Sequence, residues 1–301
     1  MQLGIDLGGT KIAAAVLDAQ GEIIWQHRTP TPAGNYSATV KKIVSLVQQA
    51  ETESGVSCTV GIATPGSASP STGLMRNCNS TCLNGRDLSG DLRAALNRPI
   101  RLANDANCFA LSEAVDGAGA ASSLVFGVIL GTGVGGGLVF NKQLLPGRNS
   151  IAGEWGHNPV PFSAAESDSR PCYCGRTDCI ETWLSGPALS LSYAQYARSN
   201  RQESAEQIVA MANRGEAPAQ HVLSTYIENL AHAFATIINT IDPDIIILGG
   251  GVGQIAQLAD ELPRRMAPYV FADSCNTPIV RPRFGAASGV RGAARLFPAD
   301  E

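Results

Sequence analysis

The sequence predicts an α/β protein that is long enough to form two lobes. Its 301 residues are enough for two such units, each with its own buried core. Apolar runs typical of buried strands alternate with stretches whose apolar residues recur at helical spacing, and each half of the chain opens with a β-hairpin that turns on glycines. There is no obvious short-period repeat and no low-complexity linker.

Composition narrows the functional classes. The chain has 22 basic and 26 acidic residues, a net charge of −4 and no run of like charges, so nothing indicates binding to nucleic acid or to an anionic membrane. No signal-peptide pattern and no apolar run of membrane-spanning length is present, so we expect a cytoplasmic location. Several cysteines are scattered, as free buried thiols are in a reducing compartment, and we expect no disulfide framework; they are Cys58, Cys78, Cys82, Cys108 and Cys275.

The first half begins with three predicted strands, at residues 2–7, 11–18 and 22–29. The first two are joined by Gly8, Gly9 and Thr10, and adjacent glycines can expose consecutive N–H groups to phosphate oxygens. An ordinary Gly-Gly hairpin explains the same residues equally well. The turn is not a Walker A loop, because Lys11 leads into a strand and not into a helix.

A strand-to-helix junction closes the first half. Helices are predicted at 36–53 and 88–96, strands at 59–64 and 99–104, and a helix from 105 to 115. Asp105 stands at the start of that last helix, beside Asn104, where we expect the helix N-terminus to keep its carboxylate ionised. An ionised carboxylate suits a base. A plain N-cap is the simpler explanation, and both roles can coexist.

The second half opens with another glycine-rich turn. The strand predicted at 122–130 enters residues 131–137, and a strand at 138–145 leaves them. The glycines match the G-x-G-x-x-G spacing of a dinucleotide fold, but that motif must open a helix, so we reject it. A glycine hairpin still offers backbone donors to a second phosphate.

The remaining elements are mostly helical. Residues 221–241 predict a helix, residues 244–248 predict a strand buried on both faces, and residues 286–297 predict the final helix. The strand ends at Gly249, Gly250 and Gly251. This turn suits a nucleotide, although tight packing explains the glycines equally well.

A segment from Gly153 to Glu181 contains four residues that suit zinc: His157, Cys172, Cys174 and Cys179. One His and three Cys complete a tetrahedral shell and leave no open position, so the metal would be structural and would fasten a loop. The alternatives are that the cysteines are close by chance or that two form a disulfide. Glu154 and Glu181 flank the ligands.

With these residues assembled, the chain resembles the ROK family of sugar kinases, within the actin-like, Hsp70-like ATPase superfamily, over essentially its whole length. The motifs that carry the resemblance are DLGGTK at 6–11, LANDANC at 102–108, GTGVGGG at 131–137, GEWGH at 153–157, CYCGRTDCIE at 172–181 and LGGG at 248–251. Three stretches are most similar to bacterial ROK fructokinases: NSTCLNG at 79–85, SEAVDGA at 112–118 and GEWGHNPVP at 153–161. Asp178 stands where the family usually has Gly, and Cys82 where many fructokinase-like relatives have Trp.

The resemblance implies a two-lobed, ribonuclease H-like α/β fold with the active site in an interlobe cleft. The small lobe would comprise residues 1–117 and 286–301, and the large lobe residues 118–285 with the zinc segment 157–179. Asp105 would be the catalytic base, and Asp6 would help to position Mg²⁺. The residues implied for ATP and its Mg²⁺ are Asp6, Gly8, Gly9, Thr10, Lys11, Gly131, Thr132, Gly133, Gly250 and Gly251. The residues implied for the sugar are Ser67, Asn104, Asp105, Glu154, His157 and Glu181.

The implied reaction is transfer of the ATP γ-phosphoryl group to a hexose hydroxyl. Our main expectation is D-fructose to fructose 6-phosphate, and N-acetylglucosamine, glucose or mannose are alternative acceptors. The resemblance also implies ATP, Mg²⁺ and a structural Zn²⁺ as cofactors, and a homodimer. More remote alternatives are a sugar-sensing ROK regulator without a DNA-binding domain and an actin-like or chaperone-like ATPase.

Overall fold

The structure, a computed structural model, describes residues 1–162 and 169–298. Part of the predicted zinc segment, residues 163–168, lies outside the described residues, as do residues 299–301 of the predicted small lobe. Within the described ranges, no helix has the length and apolar character needed to span a bilayer.

Groups of strands and groups of helices follow one another along the chain. The strands are β1 (Gln2–Leu7), β2 (Lys11–Leu17), β3 (Ile23–Pro30), β4 (Thr59–Thr64), β5 (Ser67–Ala68), β6 (Met75–Arg76), β7 (Ile100–Asn104), β8 (Leu124–Leu130), β9 (Val134–Phe140), β10 (Gln143–Leu144), β11 (Ile245–Gly249) and β12 (Ile279–Val280). The helices are α1 (Tyr36–Ser54), α2 (Leu88–Leu96), α3 (Asp105–Val115), α4 (Glu181–Leu184), α5 (Gly186–Ala197), α6 (Ala205–Asn213), α7 (Ala217–Ile241), α8 (Gly250–Gly253), α9 (Ala256–Met266) and α10 (Ser288–Ala294).

Two five-stranded mixed sheets share one pattern. The first has the order β3-β2-β1-β4-β7, in which β1, β2 and β3 are antiparallel while β1, β4 and β7 run parallel. The second has the order β10-β9-β8-β11-β12, with β9 and β10 antiparallel and β8, β11 and β12 parallel. Parallel strands place their carboxyl ends at one edge, which is where α/β proteins gather functional residues.

The first sheet packs closely against α10. A Cβ atom on Gly4 would lie 1.9 Å from the Val290 carbonyl oxygen, and one on Gly61 would lie 1.9 Å from that of Ala293. Glycine at these two positions therefore allows the helix backbone to rest directly on β1 and β4. The core of this sheet, which includes Leu3, Ile5 and Ile62, is fully buried.

Contacts divide the chain into two compact units. The first comprises Met1–Ala121, Gly137–Ala152 and Arg283–Glu301, and the second comprises Ser122–Gly136 and Gly153–Pro282. The division falls within β9, so the first three residues of that strand count with the second unit. The lobe boundaries expected from the sequence stay a prediction.

The second glycine-rich stretch differs from its predicted form. We expected the glycines at 131–137 to form the turn and a single strand to follow at 138–145, but β9 begins at Val134 and a turn separates it from β10. Close packing explains Gly136 inside the strand, because a Cβ there would lie 2.9 Å from both the Phe126 and the Trp155 ring. Helix α7 also begins earlier than predicted, at Ala217, since Pro218 is tolerated in a first helical turn.

Candidate active site

Asp6 and Asp105 occupy the same edge of the first sheet. Asp6 lies near the end of β1 and pairs with Ala63 of β4, and Ala63 pairs with Ala103 of β7. Asp105 follows β7 directly as the first residue of α3. The register of three parallel strands thus brings the two predicted acidic residues to one place.

The local structure at Asp105 combines a base candidate with a helix cap. Asn104 is the N-cap, and its side-chain oxygen accepts from the Ala106 N–H at 2.8 Å, as does Asp105 Oδ1. The N-cap role that was the simpler explanation for Asp105 therefore belongs to Asn104, and Asp105 lies in the first turn of the helix.

The helix N-terminus is not the dominant influence on the Asp105 carboxyl. Its side chain reaches solvent, but the protein packed around it removes water, and this desolvation raises the pKa of the Asp105 carboxyl. Hydrogen bonds from the backbone N–H groups of Ala106 and Asp105 and from the Asn104 side chain oppose the rise without cancelling it. The helix N-terminus therefore stabilises the ionised Asp105 carboxylate by less than the loss of hydration destabilises it.

Asp6 is perturbed in the same direction. Desolvation, followed by the charge of Asp105, raises the pKa of Asp6 to about 6, while Lys11 lowers it. Helix α10 adds to the crowding, because a Cβ on Gly289 would lie 2.9 Å from Asp6 Oδ2. No local pattern singled out Gly289, which approaches Asp6 through the return of the chain after residue 283.

The first glycine turn is a closed hairpin. The Gly8 N–H donates to the Lys11 carbonyl at 3.1 Å, and Thr31 Oγ1 donates to the Gly8 carbonyl at 2.7 Å. Gly9 and Thr10 lie exposed beyond this closure. The backbone amides that suit a phosphate are therefore those of Gly9 and Thr10.

The second glycine turn is closed in the same way. The Gly131 N–H donates to the Gly133 carbonyl at 2.9 Å, which leaves the amides of Thr132 and Gly133 as the candidates for phosphate. The Gly186 N–H donates to the Gly131 carbonyl at 2.7 Å. Glu181 Oε2 accepts from the Val134 N–H at 2.8 Å.

The third glycine turn has a packing explanation for one of its residues. Gly250 has φ +80°, and a Cβ there would lie 2.2 Å from the Leu130 carbonyl oxygen. Gly251 is exposed, and a Cβ there would meet Glu206 Oε1 only at 3.8 Å. Tight packing therefore accounts for Gly250, and Gly251 faces open space.

The four predicted metal ligands come together in the second unit. One ligand atom from each of His157, Cys172, Cys174 and Cys179 lies within 4.8 Å of the others. Cys172 Sγ is 3.5 Å from His157 Nδ1, and Cys174 Sγ is 3.6 Å from Cys179 Sγ. Ligand atoms on a tetrahedral Zn²⁺ lie roughly 3.5–3.8 Å apart at the usual bond lengths, so the residues fit this ion. The sulfur separation excludes the disulfide alternative for that pair.

His157 is oriented by a residue that sequence reasoning missed. Its Nδ1 faces the sulfur cluster, while its Nε2 lies 2.8 Å from the Tyr173 hydroxyl. Partial burial and the charges of Glu181 and Glu154 raise the pKa of Tyr173 to about 12. Both glutamates that flank the metal segment thus lie near Tyr173. The position of Tyr173 between Cys172 and Cys174 was the feature of the sequence that could have identified it.

Asp178 keeps the backbone geometry that the family pattern assigns to Gly. Its φ is +53°, a left-handed conformation that Asp tolerates better than most residues. Its carboxylate accepts from the Arg170 N–H at 2.9 Å, Ser169 Oγ at 2.9 Å and Trp183 Nε1 at 3.1 Å. These bonds, the Arg170 bond most, lower the pKa of Asp178. Asp178 in place of Gly therefore preserves the turn conformation and adds three hydrogen bonds to it.

Ser67 and Cys82 belong to the first unit. Ser67 begins β5 and pairs with Arg76 of β6. Cys82 lines a cavity of about 360 Å³ together with Gly9, Thr10 and Asn79. Cys82, which stands where many fructokinase-like relatives have Trp, therefore lines the same cavity as the first glycine turn.

Comparison with solved structures defines the class of protein. A ROK hexokinase from Thermus thermophilus is 28% identical with a TM-score of 0.85, covering 97% of this chain and 96% of that one. A ROK family glucokinase from Streptomyces griseus, solved with glucose and AMPPNP, is 26% identical with a TM-score of 0.79 and 98% coverage of both chains. These likenesses confirm the expected fold class, the ribonuclease H-like α/β fold of actin-like ATPases.

Sequence comparison then gives the family. Residues 2–300 match the ROK family, and the chain belongs to it. An N-acetyl-D-glucosamine kinase from Escherichia coli O9:H4 (strain HS) is 40% identical over 309 residues, which span 100% of both chains. The family expected from the motifs is thus confirmed.

Proposed function

We propose that this protein is an ATP-dependent sugar kinase whose acceptor is N-acetyl-D-glucosamine. The choice of N-acetyl-D-glucosamine as acceptor rests on the 40% identity, over the full length of both chains, with an N-acetyl-D-glucosamine kinase. The three short motifs predict fructose, whereas the likeness over the full length favours N-acetylglucosamine, one of the alternative acceptors. The pair Asp6 and Asp105, placed beside a glycine turn, supports phosphoryl transfer as the chemistry.

Asp105 is the proposed general base. Phosphoryl transfer needs an in-line hydroxyl and little covalent chemistry from the protein, so the base has only to orient that hydroxyl and accept its proton. Desolvation raises the pKa of Asp105, which strengthens it as a proton acceptor once it is ionised. Asn104 holds the helix start on which Asp105 sits.

The proposed ligands of ATP and Mg²⁺ are Asp6 and residues of the glycine turns. Asp6 would hold Mg²⁺, which neutralises phosphate charge when bound, and Lys11 lies near enough to lower the pKa of Asp6. The amides of Gly9 and Thr10, and those of Thr132 and Gly133, would receive phosphate oxygens. Gly251 is the better candidate for contact with adenosine, since Gly250 is held against Leu130.

The residues proposed for the sugar form two sets. The first set is Ser67, Asn104 and Asp105, and the second is Glu154, His157 and Glu181. The second set lies beside the metal cluster, within reach of Tyr173. We propose that a structural Zn²⁺, held by His157, Cys172, Cys174 and Cys179, fixes the backbone on which the two glutamates stand. The homodimer stays a prediction.

A coupled ADP-release assay across several sugars tests this function. We expect kcat/KM to be highest for N-acetyl-D-glucosamine, with D-fructose, D-glucose, D-mannose and N-acetyl-D-mannosamine as matched acceptors. A clear preference for fructose would show that fructose is the acceptor, as the short motifs predict. ADP release that no sugar increases would contradict the kinase assignment.

A further inference from the structure

We infer that Glu181 is a positioning residue for the second phosphate turn, residues 131–133, in addition to its proposed contact with sugar. The inference rests on the proposed function, because it assigns that turn to ATP. It concerns only residues of the second unit. The resemblance to the family had indicated Glu181 as a sugar ligand alone.

The Glu181 carboxylate lies directly against the turn. Its Oε2 atom accepts from the Val134 N–H at 2.8 Å, and a Cβ on Gly133 would lie 2.6 Å from the same oxygen. A side-chain oxygen in this position accepts from Val134 whether it belongs to a carboxylate or to a carboxamide. The carboxylate thus fixes the peptide that immediately follows the candidate phosphate amides of Thr132 and Gly133.

Neighbouring residues complete the attachment from the same two chain segments. The Gly186 N–H holds the Gly131 carbonyl at 2.7 Å, and Trp155 Nε1 donates to the Gly135 carbonyl at 2.9 Å. Gly156 approaches so closely that a Cβ there would lie 2.1 Å from the Val134 carbonyl oxygen. Trp155 and Gly156 come just before the metal-ligand candidate His157, and Glu181 and Gly186 come just after Cys179.

The turn needs this attachment because of its composition. Gly131, Gly133 and Gly135 lose more conformational freedom on ordering than other residues do. If the amides that bind phosphate are not already held in place, the free energy needed to order them reduces the affinity for nucleotide. Removal of the Glu181 acceptor should therefore loosen the turn and weaken nucleotide binding even when no sugar is present.

Two variants separate this role from the sugar contact. Glu181→Ala removes the acceptor, whereas Glu181→Gln removes the charge and keeps an oxygen that can accept from Val134. AMPPNP binding is measured by calorimetry with Mg²⁺ and without sugar, on zinc-replete protein. We expect Glu181→Ala to bind AMPPNP about five- to twentyfold more weakly than wild type, and Glu181→Gln to stay within about twofold.

Hydrogen exchange provides a second readout that does not depend on nucleotide. In Glu181→Ala, the amides of residues 131–136 should exchange faster, while those of the first turn at 8–11 serve as the control and should be unchanged. Glu181→Gln should restore protection. Equal AMPPNP affinity and equal exchange in both variants and wild type would overturn the inference.

The outcomes also distinguish this inference from the proposed function. Wild-type protein that binds no AMPPNP would remove the nucleotide assignment, and with it the claim that Glu181 serves ATP. Wild-type protein that phosphorylates N-acetyl-D-glucosamine, combined with an Ala variant whose turn and nucleotide affinity are unchanged, would leave the kinase and remove only the positioning role.

Discussion

The negative charge of Asp105 raises the pKa of Asp6, because β1, β4 and β7 bring both side chains to one edge of the first sheet. Desolvation is the larger cause, and together they bring the pKa of Asp6 to about 6. Two carboxylates that resist joint ionisation are common where a divalent cation and a base must act together. The relationship therefore provides a direct test of the site.

Neutralising Asp105 should lower the pKa of Asp6. In Asp105→Asn, one of the two causes of the rise is removed, so the pKa of Asp6 should fall from about 6 toward its ordinary value of 3.8. Desolvation persists, so the fall should be partial. The measurement is a ¹³C carboxyl NMR titration of metal-free protein. An Asp6 pKa that is the same in both proteins would show that the two groups do not interact.

Loss of one cluster ligand should remove the metal and weaken both stability and sugar binding. Cys174→Ser deletes one of the four ligands that the structure gathers, and a structural zinc site contributes directly to folding free energy. Metal analysis by mass spectrometry, melting temperature and sugar affinity are measured together. Cys275→Ser, outside the cluster, is the control and should keep all three. Zinc-free wild-type protein prepared without chelators, with full stability, would contradict this prediction.

Asp178 should be more sensitive to Ala than to Gly. Ala loses the three hydrogen bonds of the carboxylate and must also adopt φ +53°, whereas Gly loses only the bonds. We expect Asp178→Ala to be less stable than Asp178→Gly by about 1 kcal/mol, and Asp178→Asn to be the mildest change. Melting temperatures of the zinc-loaded variants give the order. If Ala equals wild type, the carboxylate has no structural role.

Glu113 should be among the most destabilising sites for truncation. It is fully buried, and its two oxygens accept from Ala118 N–H at 2.9 Å, Arg283 N–H at 2.9 Å, Phe284 N–H at 3.2 Å and Ser288 Oγ at 2.7 Å. Glu113→Ala would leave these donors unsatisfied, at a cost of roughly 3–5 kcal/mol. Denaturant unfolding measures it, with the exposed Glu22→Ala as the control. A change below about 1 kcal/mol would refute the estimate.

Local pattern predicted most of the secondary structure. The apolar runs that give β1, β4 and β11 and the periodic stretches that give α1 and α3 are local signals, and the structure has these elements at nearly the expected residues. The glycines inside β9 were misread because a glycine run indicates a turn locally. Packing accounts for two of them, because a Cβ on Gly136 would meet the Phe126 and Trp155 rings and a Cβ on Gly137 would meet the Ala106 carbonyl oxygen.

The candidate site shows the same division. Ligand chemistry and spacing were enough to predict that His157 and the three cysteines meet. The raised pKa of Asp105 was not predictable from its place at a helix start, because desolvation depends on everything packed around it. The contact of Glu181 with Val134 and the approach of Gly289 to Asp6 join residues far apart in sequence, and no local pattern encodes them.

The most direct test of the central claim is to follow transfer of the γ-phosphoryl group by ³¹P NMR with ATP, Mg²⁺ and N-acetyl-D-glucosamine. Wild type should produce ADP and the sugar phosphate in equal amounts. Asp105→Asn should form them at least about 10²-fold more slowly, the range for loss of a general base, while sugar affinity stays roughly intact. Near-wild-type turnover by Asp105→Asn would remove this residue from the mechanism, and ADP with inorganic phosphate in place of a sugar phosphate would contradict the kinase assignment.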